Sequence, residues 1–317
     1  MPSRVKQGVV NKSYCSFVFS CNCSQDCIFC GPLGQYRFKS EEYLLQVRDR
    51  AYAAIKEFRD GGYDKIEVSG LDPIEFEGLA EYIGALRSAG FKWVRISTHG
   101  SRLSDIGFAR KLLKENVDLF RIPLYGATAQ AHDAITRTRG SFDRTVQGIR
   151  NIKAIGGTKV LLTSLLFRQN CLELCRIFDL MVELGADEMY FSPVLISNND
   201  YSYYIPSKFQ GPFFQKLVRH AAQRHRRVEF KDVPYCVFGF DNDFVNNQWQ
   251  PAHLAQGSQV AEVYRTFIQD LPRYRMKAQV AMCKACAVND KCDGFLVNDL
   301  KRFDLKGLKP VKRRCAA

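Results

Sequence analysis

Apolar residues in the first two thirds of the chain alternate between two spacings. Short apolar runs such as 14–20 and 65–69 are typical of buried strands, whereas the segment 44–58 repeats apolar residues every three or four positions, as a helix does. Ser40 is placed to cap that helix, and Gly61 and Gly62 are placed to end it. The opening of the chain therefore predicts a strand, a loop and a helix.

The same strand and helix alternation recurs along the chain. The predicted strands are 65–69, 93–98, 119–124, 159–167 and 188–192, and the predicted helices are 74–88, 104–115, 142–155, 171–184 and 213–225. Strands that alternate with helices form a parallel sheet, so six such units predict an α/β fold. The alternation stops after about Val228, and we expect a domain boundary between residues 225 and 226.

Composition narrows the setting. The 317 residues contain 12 cysteines, but residues 1–13 are polar and basic and have no apolar signal segment, so we expect free thiols and a cytoplasmic protein. No apolar run approaches the roughly 20 residues that span a bilayer. The net charge of +13 favours anionic partners, although a basic surface explains it equally well, since much of the excess lies in 219–231 and 301–314.

Three cysteines follow the first predicted strand in the spacing CxxxCxxC. Cys23, Cys27 and Cys30 are too close together to pair among themselves, but as thiolates they suit a metal ion or an iron-sulfur cluster. A structural zinc site usually has four ligands, one more than this loop supplies. The loop predicts a cluster with one open coordination position, and zinc is the alternative.

This loop resembles the signature of the radical S-adenosylmethionine (SAM) superfamily, with Phe29 as the aromatic residue before the last cysteine. The resemblance implies a 4Fe-4S cluster held by three cysteines, whose fourth iron binds SAM. It also implies that residues 1–225 form an open partial (β/α)6 TIM barrel with its chemistry at the carboxyl ends of the strands.

Further segments resemble the superfamily's SAM-binding motifs. The turn after the second strand corresponds to the GGEP-like motif, with Asp72 in place of glutamate, and 96–100 corresponds to the TNG segment near the SAM ribose. The segment that begins with the fourth strand resembles that of the SPASM/twitch branch, in which a serine of the strand and an arginine after a His-Asp pair address SAM. Pro123 and Thr136 stand near those places here, so Arg121, Arg137 and Arg139 are the candidates for the SAM carboxylate. The resemblance implies these cofactor-binding residues: Phe29, Ser69, Gly70, Asp72, Pro73, Ser97, Thr98 and Arg121.

A second cysteine set lies near the carboxyl end of the chain. Cys283 and Cys286 form a CxxC pair, Cys292 follows, and Cys236 is the best candidate for a fourth ligand, with Cys315 in reserve. The spacing resembles the auxiliary-cluster region of SPASM and twitch proteins, which implies a second 4Fe-4S cluster in a small twitch-like domain, 226–317. A closed zinc site is the alternative.

One further cysteine is a candidate for chemistry in the barrel. Asn170 is expected to cap the fifth predicted helix, which places Cys171 in the first turn, where the helix dipole lowers a thiol pKa. Cys171 is a candidate hydrogen-atom donor to a substrate radical, and a buried packing role is the alternative.

The resemblance implies that a reduced cluster cleaves SAM to a 5'-deoxyadenosyl radical, which removes hydrogen from a substrate carbon. A reductase such as flavodoxin or ferredoxin is the implied partner. A ribosomal peptide is the first expected substrate, although only about 14 residues precede the first strand, which leaves no room for a leader-binding domain. The alternatives are dehydrogenation, epimerisation or cyclisation of a small polar or phosphorylated metabolite, and a non-enzymatic zinc protein that binds RNA; we expect nucleic acid and membrane not to be partners.

Overall fold

The computed structural model describes residues 15–19, 22–30, 40–194, 200–240, 243–246, 253–254 and 277–312. One sheet of nine parallel strands dominates it. Strands β1 to β8 follow one another in chain order, and β9 pairs with the other edge of β1. The strands are β1 Cys15–Phe19, β2 Lys65–Gly70, β3 Trp93–Ser97, β4 Leu119–Pro123, β5 Lys159–Leu166, β6 Glu188–Pro193, β7 Glu229–Lys231, β8 Val245–Asn246 and β9 His253–Leu254.

Helices connect these strands. They are α1 Glu41–Asp60, α2 Leu79–Ser88, α3 Ile106–Leu113, α4 Ala129–Thr136, α5 Ser141–Ile155, α6 Leu174–Glu183, α7 Ser207–Gln223, α8 Tyr235–Phe238 and α9 Val297–Arg302. The predicted start of α1 is confirmed, because the Ser40 side chain accepts a hydrogen bond from the Tyr43 amide at 3.3 Å. In the described residues, no helix is long and apolar enough to cross a membrane.

The two faces of the sheet differ in chemistry. The second and fourth residues of β2 to β6, such as Ile66 and Val68 on β2, are buried in one core with helical side chains including Ile83 and Ile149. Because side chains alternate along a strand, the third and fifth residues point to the opposite, concave face. The core therefore lies between sheet and helices, and the concave face is left for a ligand.

The expected open partial TIM barrel is confirmed. The six predicted strands are β1 to β6, and among the described residues β8 and β9, at the two edges, do not pair with each other. The expectation that the alternation stops after Val228 is wrong for β7, which pairs with β6, and for β8, which pairs with β7. These strands escaped prediction because runs of two or three residues show no periodicity.

Several helix boundaries also differ from the prediction. A single 3-10 turn, Pro73–Glu75, precedes α2, which begins only after Gly78 at φ 88°. The start of α3 is set by Asp105, whose carboxylate accepts hydrogen bonds from the amides of Gly107 and Phe108. Helix α4 was not predicted at all.

The carboxyl-terminal segment packs against the end of the barrel. Its antiparallel strands β10 Lys277–Ala278 and β11 Phe295–Leu296 form a short pair. Lys277 forms an ion pair at 2.5 Å with Asp232, which follows β7, and Asp299 accepts a hydrogen bond from the Ser207 amide of α7 at 3.2 Å. These contacts fix the appendage beside β7 and α7.

Candidate active site and second cysteine site

The CxxxCxxC loop lies at the carboxyl end of β1. Cys23 is buried, and Cys27 and Cys30 are partly exposed. The pKa of the buried Tyr125 hydroxyl is raised first by burial and then by the charges of Cys27 and Cys30, with a smaller effect from Cys23. All three sulfurs therefore lie near one side chain at the end of β4.

Helix α4 and its surroundings hold this loop in place. The amides of Asp26 and Ile28 donate to the carbonyls of Thr136 and Ile135, each at 3.0 Å. Phe29 packs against the rings of Tyr125 and Phe167, with both centroid distances 5.2 Å. The backbone of the loop is thus bound to α4 and its aromatic residue to the ends of β4 and β5.

The turn after β2 contains a buried charged group. Asp72 is completely buried, and its carboxylate lies 2.5 Å from Nε2 of His99. Nδ1 of His99 accepts the Ser101 amide at 3.2 Å, so Nε2 carries the proton that faces Asp72. Burial and the amide that donates to Nδ1 oppose the protonated form of His99, whereas the charge and hydrogen bond of Asp72, with a smaller contribution from Cys23, favour it.

Glu75 completes this group from the 3-10 turn. Its Oε1 accepts the Ser24 hydroxyl at 2.8 Å and lies 3.7 Å from His99 Nε2. Ligand atoms of Asp72, Glu75 and His99 all lie within 4.8 Å of one another. The Glu75 side chain is 23% exposed, so it faces the cysteine loop and still reaches solvent. The sequence reading missed Glu75, although it stands three residues after Asp72 in the same turn.

The other predicted SAM contacts lie at the same rim. Ser69 and Gly70 end β2, and the φ of 138° at Gly70 is a backbone conformation that suits glycine. The Ser97 hydroxyl donates to Glu67, and the Thr98 hydroxyl accepts the Gly100 amide at 3.0 Å. Both hydroxyls are therefore hydrogen-bonded to other groups of the protein. Pro73 begins the 3-10 turn.

Arg121 points to the concave face. Its guanidinium lies 3.5 Å from Glu67, which also forms an ion pair with Arg95 at 2.7 Å. Sequence reading missed Glu67 and Arg95, but a signal was present: charged residues at the inward positions of otherwise apolar strands. Arg137 and Arg139, the other candidates for the SAM carboxylate, are exposed.

His132 and Asp133, on α4 after the fourth strand, have structural contacts. Nδ1 of His132 accepts the Tyr125 amide at 3.2 Å, and burial lowers the pKa of His132 to about 4. Asp133 accepts hydrogen bonds from the Gly140 and Phe142 amides; these and the Ser141 hydroxyl outweigh burial and lower its pKa. This pair orders the turn into α5.

The predicted cap at Asn170 is wrong. Its side chain accepts the Phe167 amide at 2.8 Å and donates to the carbonyls of Tyr125 and Leu165, so it joins the ends of β4 and β5. Helix α6 begins only at Leu174. Cys171 therefore lies in the turn before the helix, and burial raises its pKa, contrary to the expected lowering.

The second cysteine set comes together as its spacing predicts. Cys236, Cys283, Cys286 and Cys292 line one cavity. Burial, followed by the charges of Cys292, Cys283 and Cys286, raises the pKa of Cys236 to about 12. Helix α8 brings Cys236 to this cavity, and the reserve ligand Cys315 lies outside the described residues.

Both donor sets fit iron-sulfur clusters. Three thiols at the barrel rim beside Tyr125 leave one position of a cluster to a cofactor, whereas four thiols around one cavity can close a site. Repulsion among the four nearby thiolates is relieved when a cation binds, since a metal ion favours the deprotonated thiols that bind it. The second set suits a zinc ion equally well by donor type.

An open βα barrel with a three-thiol loop at the carboxyl end of its first strand defines a class of cluster-bearing proteins. The radical SAM superfamily profile matches residues 17–181, so the chain belongs to the radical SAM superfamily, whose enzymes use SAM and a 4Fe-4S cluster. This confirms the superfamily predicted from Cys23, Cys27 and Cys30.

Individual relatives match this chain only at low sequence identity. A probable GTP 3',8-cyclase of Saccharolobus solfataricus is 28% identical over 168 residues, 53% of this chain and 52% of that protein. The chain thus spans about half the length of the curated relatives it matches.

Two solved structures share the fold along almost the whole chain. Streptococcus suis SuiB bound to precursor peptide SuiA has a TM-score of 0.60 at 12% identity, covering 95% of this chain and 75% of that one. The anSMEcpe protein with bound AdoMet and Kp18Cys peptide has a TM-score of 0.61 at 13% identity, covering 94% and 92%. At these identities the likeness concerns the fold alone.

Proposed function

We propose that this chain is a radical SAM enzyme that removes a hydrogen atom from an anionic substrate bound on the concave face of its barrel. When bound, SAM and the reduced cluster supply a 5'-deoxyadenosyl radical and methionine, and the radical becomes 5'-deoxyadenosine by taking the substrate hydrogen. The electron comes from a reductase such as flavodoxin or ferredoxin. The observation that carries the proposal is the three-cysteine loop at the rim of the barrel.

Different residues of this chain would hold the cluster, support its loop and bind SAM. Cys23, Cys27 and Cys30 would hold the cluster, and Phe29 would keep their loop against β4 and β5. Asp72 is committed to His99, so we assign the SAM ammonium to the more exposed Glu75. A carboxylate and an ammonium at a half-buried rim form a charge-assisted hydrogen bond.

Gly70 and Pro73 would shape the SAM-binding turn, while Ser69, Ser97 and Thr98 would line the rim near the cofactor. Arg121 was expected at the SAM carboxylate, but its contact with Glu67 favours the substrate instead. This reassignment leaves the partner of the SAM carboxylate open.

The carboxyl-terminal appendage is proposed to hold a second, auxiliary 4Fe-4S cluster on Cys236, Cys283, Cys286 and Cys292, as in the twitch-like domain expected from the sequence. Four thiols around one cavity support this assignment. We keep the two predicted domains but count β7 and β8 with the barrel, because both strands belong to its sheet.

The substrate class rests on the charges of the barrel. Arg95 and Arg121 converge on the single carboxylate of Glu67, which favours an anionic ligand over a neutral one. The relatives are probable GTP 3',8-cyclases, and GTP is an anionic small molecule that agrees with this class. The ribosomal peptide expected from the sequence stays a prediction, as does the cytoplasmic location. The superfamily match favours an enzyme over the zinc and RNA-binding alternative.

Replacement of Cys23, Cys27 and Cys30 by alanine tests the function. After anaerobic reconstitution and reduction with dithionite, the wild type should form 5'-deoxyadenosine from SAM, and the triple variant should form none. The matched control replaces Cys15, Cys171 and Cys175, which should leave SAM cleavage intact. Undiminished cleavage in the Cys23/Cys27/Cys30 variant would falsify the proposal.

A further inference from the structure

The inward-facing residues of the barrel form layers. The third residue of each strand from β2 to β6 points to the concave face, since its neighbours on either side belong to the core behind the sheet, and Lys231 follows the core residue Phe230 on β7. Neighbouring strands are staggered, so that Arg121 lies opposite Ser97 and Tyr190 opposite Thr163 in the sheet. In a barrel of tilted strands this stagger brings such inward residues of successive strands together as one layer. This layer consists of Glu67, Arg95, Arg121, Leu161, Tyr190 and Lys231.

Contacts within the layer show that its members converge. Glu67 holds Arg95 at 2.7 Å and Arg121 at 3.5 Å, and the Lys231 ammonium lies over the Tyr190 ring at 4.3 Å from its centroid. Lys231 is also close enough to Arg121, Arg95 and Glu67 for their charges to act on it. The layer is thus one electrostatic unit.

The unit has an excess of positive charge. The layer contains three cations, Arg95, Arg121 and Lys231, and one carboxylate, Glu67, which pairs with the two arginines and is only 8% exposed. Asp232 lies beside Lys231 in the chain, but its carboxylate is paired with Lys277 at 2.5 Å. Among the described residues, no carboxylate lies within ion-pair distance of the Lys231 ammonium. Burial, followed by the charges of Arg121 and Arg95, outweighs the opposing charges of Glu67 and Asp232 and lowers the pKa of Lys231 to about 8.

The layers above and below explain where a ligand would fit. Below, at the amino ends of β6 and β7, Glu188 accepts the Tyr190 hydroxyl at 3.0 Å and Glu229 pairs with Arg227 at 3.2 Å, so these carboxylates are already engaged. Above, toward the cysteine loop, the fifth positions carry small side chains. They are Ser69, Ser97, Pro123, Thr163 and Ser192.

We infer that Arg121 and Lys231, supported by Arg95, form an anion site on the floor of the barrel that binds a phosphate or carboxylate group of a small-molecule substrate. Partly desolvated cations that outnumber their counter-charges are stabilised by an anion and bind it with charge-assisted hydrogen bonds. The small hydroxyl-bearing residues above leave room for the rest of the molecule to extend toward the rim. Only the identification of this ligand as substrate rests on the proposed function.

Binding of inorganic pyrophosphate to the reconstituted full chain tests the site. We expect Lys231→Met and Arg121→Gln each to weaken pyrophosphate binding by about tenfold or more, as expected for loss of a charge-assisted hydrogen bond. Lys231→Arg keeps the charge and should restore most of the affinity. Lys159→Met removes an exposed lysine at the amino end of β5 and should change nothing. Isothermal titration calorimetry at fixed ionic strength measures all four, and circular dichroism with iron content checks folding.

Competition with SAM tests whether this site binds a substrate anion or the carboxylate of SAM. Pyrophosphate affinity should be the same with and without saturating SAM, and SAM affinity should be unchanged in Lys231→Met. Competition between the two ligands would overturn the inference, because the anion at this floor would then be the SAM carboxylate. Equal pyrophosphate affinity in wild type, Lys231→Met and Arg121→Gln would overturn it as well. Neither result bears on 5'-deoxyadenosine formation, so the proposed function is tested separately.

Discussion

At the scale of single residues, the turn after β2 departs from the motif it resembles. Asp72 stands where the superfamily has glutamate, and its shorter side chain is completely buried against His99. The next carboxylate, Glu75, is the one that reaches both the cysteine loop and solvent. We therefore propose that Glu75 takes the place of Asp72 at the SAM ammonium, because the 3-10 turn brings positions 72 and 75 to the same side.

Substitution of Glu75 tests that replacement. Glu75→Gln removes the charge but keeps the shape, so SAM should bind about tenfold more weakly, since a hydrogen bond to a charged group contributes about 1.5–3 kcal/mol. Glu77→Gln is the matched control, because Glu77 is exposed two residues away. Equilibrium dialysis of the reconstituted protein with SAM gives both affinities. Equal SAM affinity in the two variants would contradict the assignment.

The thiol of Cys171 gives a pH-dependent prediction. Because burial raises its pKa above the ordinary 9.0, the thiolate fraction at neutral pH is smaller than in an unfolded peptide, and it grows only as the pH rises past 9.0. Anaerobic alkylation by iodoacetamide, followed residue by residue by mass spectrometry, should therefore be slower than in a synthetic peptide of residues 168–175 until high pH. A rate that levels off below pH 9.0 would mean that the pKa is lowered instead.

A raised pKa also suits the proposed chemistry of Cys171. A thiol must be protonated before it can donate a hydrogen atom, and this thiol is protonated at neutral pH. Its role remains a prediction: if the reaction inverts a carbon centre, Cys171→Ala should still cleave SAM but yield no inverted product. Normal product from Cys171→Ala would leave the residue a packing role, consistent with its contact with the hydrophobic core.

At the scale of elements, helices and strands with a periodic apolar pattern are predicted from the sequence, and elements without one are missed. The first six strands and most helices follow from periodicity, because each buries a regular apolar face. Helix α4 was missed because its eight residues show no strong apolar pattern. Asn170 was assigned to a helix because an asparagine that caps a helix and one that joins the ends of two strands look the same in the sequence. The charged layer was missed because its members come from strands far apart in sequence.

The small β10 and β11 pair makes an element-scale prediction. Gly294 has φ +89°, and a Cβ atom there would collide with the carbonyl of Ala278 on β10. Gly294→Ala should therefore disturb the cavity that Cys292 shares with the other three cysteines, and iron should be lost from the appendage but kept at the barrel rim. Gly307→Ala is the matched control, since Gly307 has φ +95° but no atom within 4 Å of such a Cβ.

Iron analysis with spectroscopy separates the two sites in these variants. Gly294→Ala should lose about half of the iron and still form 5'-deoxyadenosine when SAM and dithionite are added. Gly307→Ala should keep its iron, because a Cβ atom at this position has no other atom within 4 Å. Equal iron in Gly294→Ala, Gly307→Ala and wild type would show that this turn does not support a cluster.

At the scale of the whole molecule, the two cysteine sites lie at different parts of one continuous structure. The barrel rim carries three thiols beside the concave face, whereas four thiols line a cavity between α8, which supplies Cys236, and the carboxyl-terminal appendage, which supplies the other three. The ion pair of Lys277 with Asp232 ties that appendage to the end of β7, next to Lys231. An auxiliary cluster here would thus lie on the β7 side of the barrel.

The iron content of the whole chain decides between two clusters and one cluster with zinc. Each 4Fe-4S cluster carries the same load, so the wild type should contain about twice the iron of the variant in which Cys23, Cys27 and Cys30 are alanine. The complementary variant, with Cys236, Cys283, Cys286 and Cys292 as alanine, should also contain about half. The two variants differ in function: only the second should keep SAM cleavage. Stoichiometric zinc and no iron in the Cys23/Cys27/Cys30 variant would assign the four-thiol cavity to zinc and leave the enzyme with a single cluster.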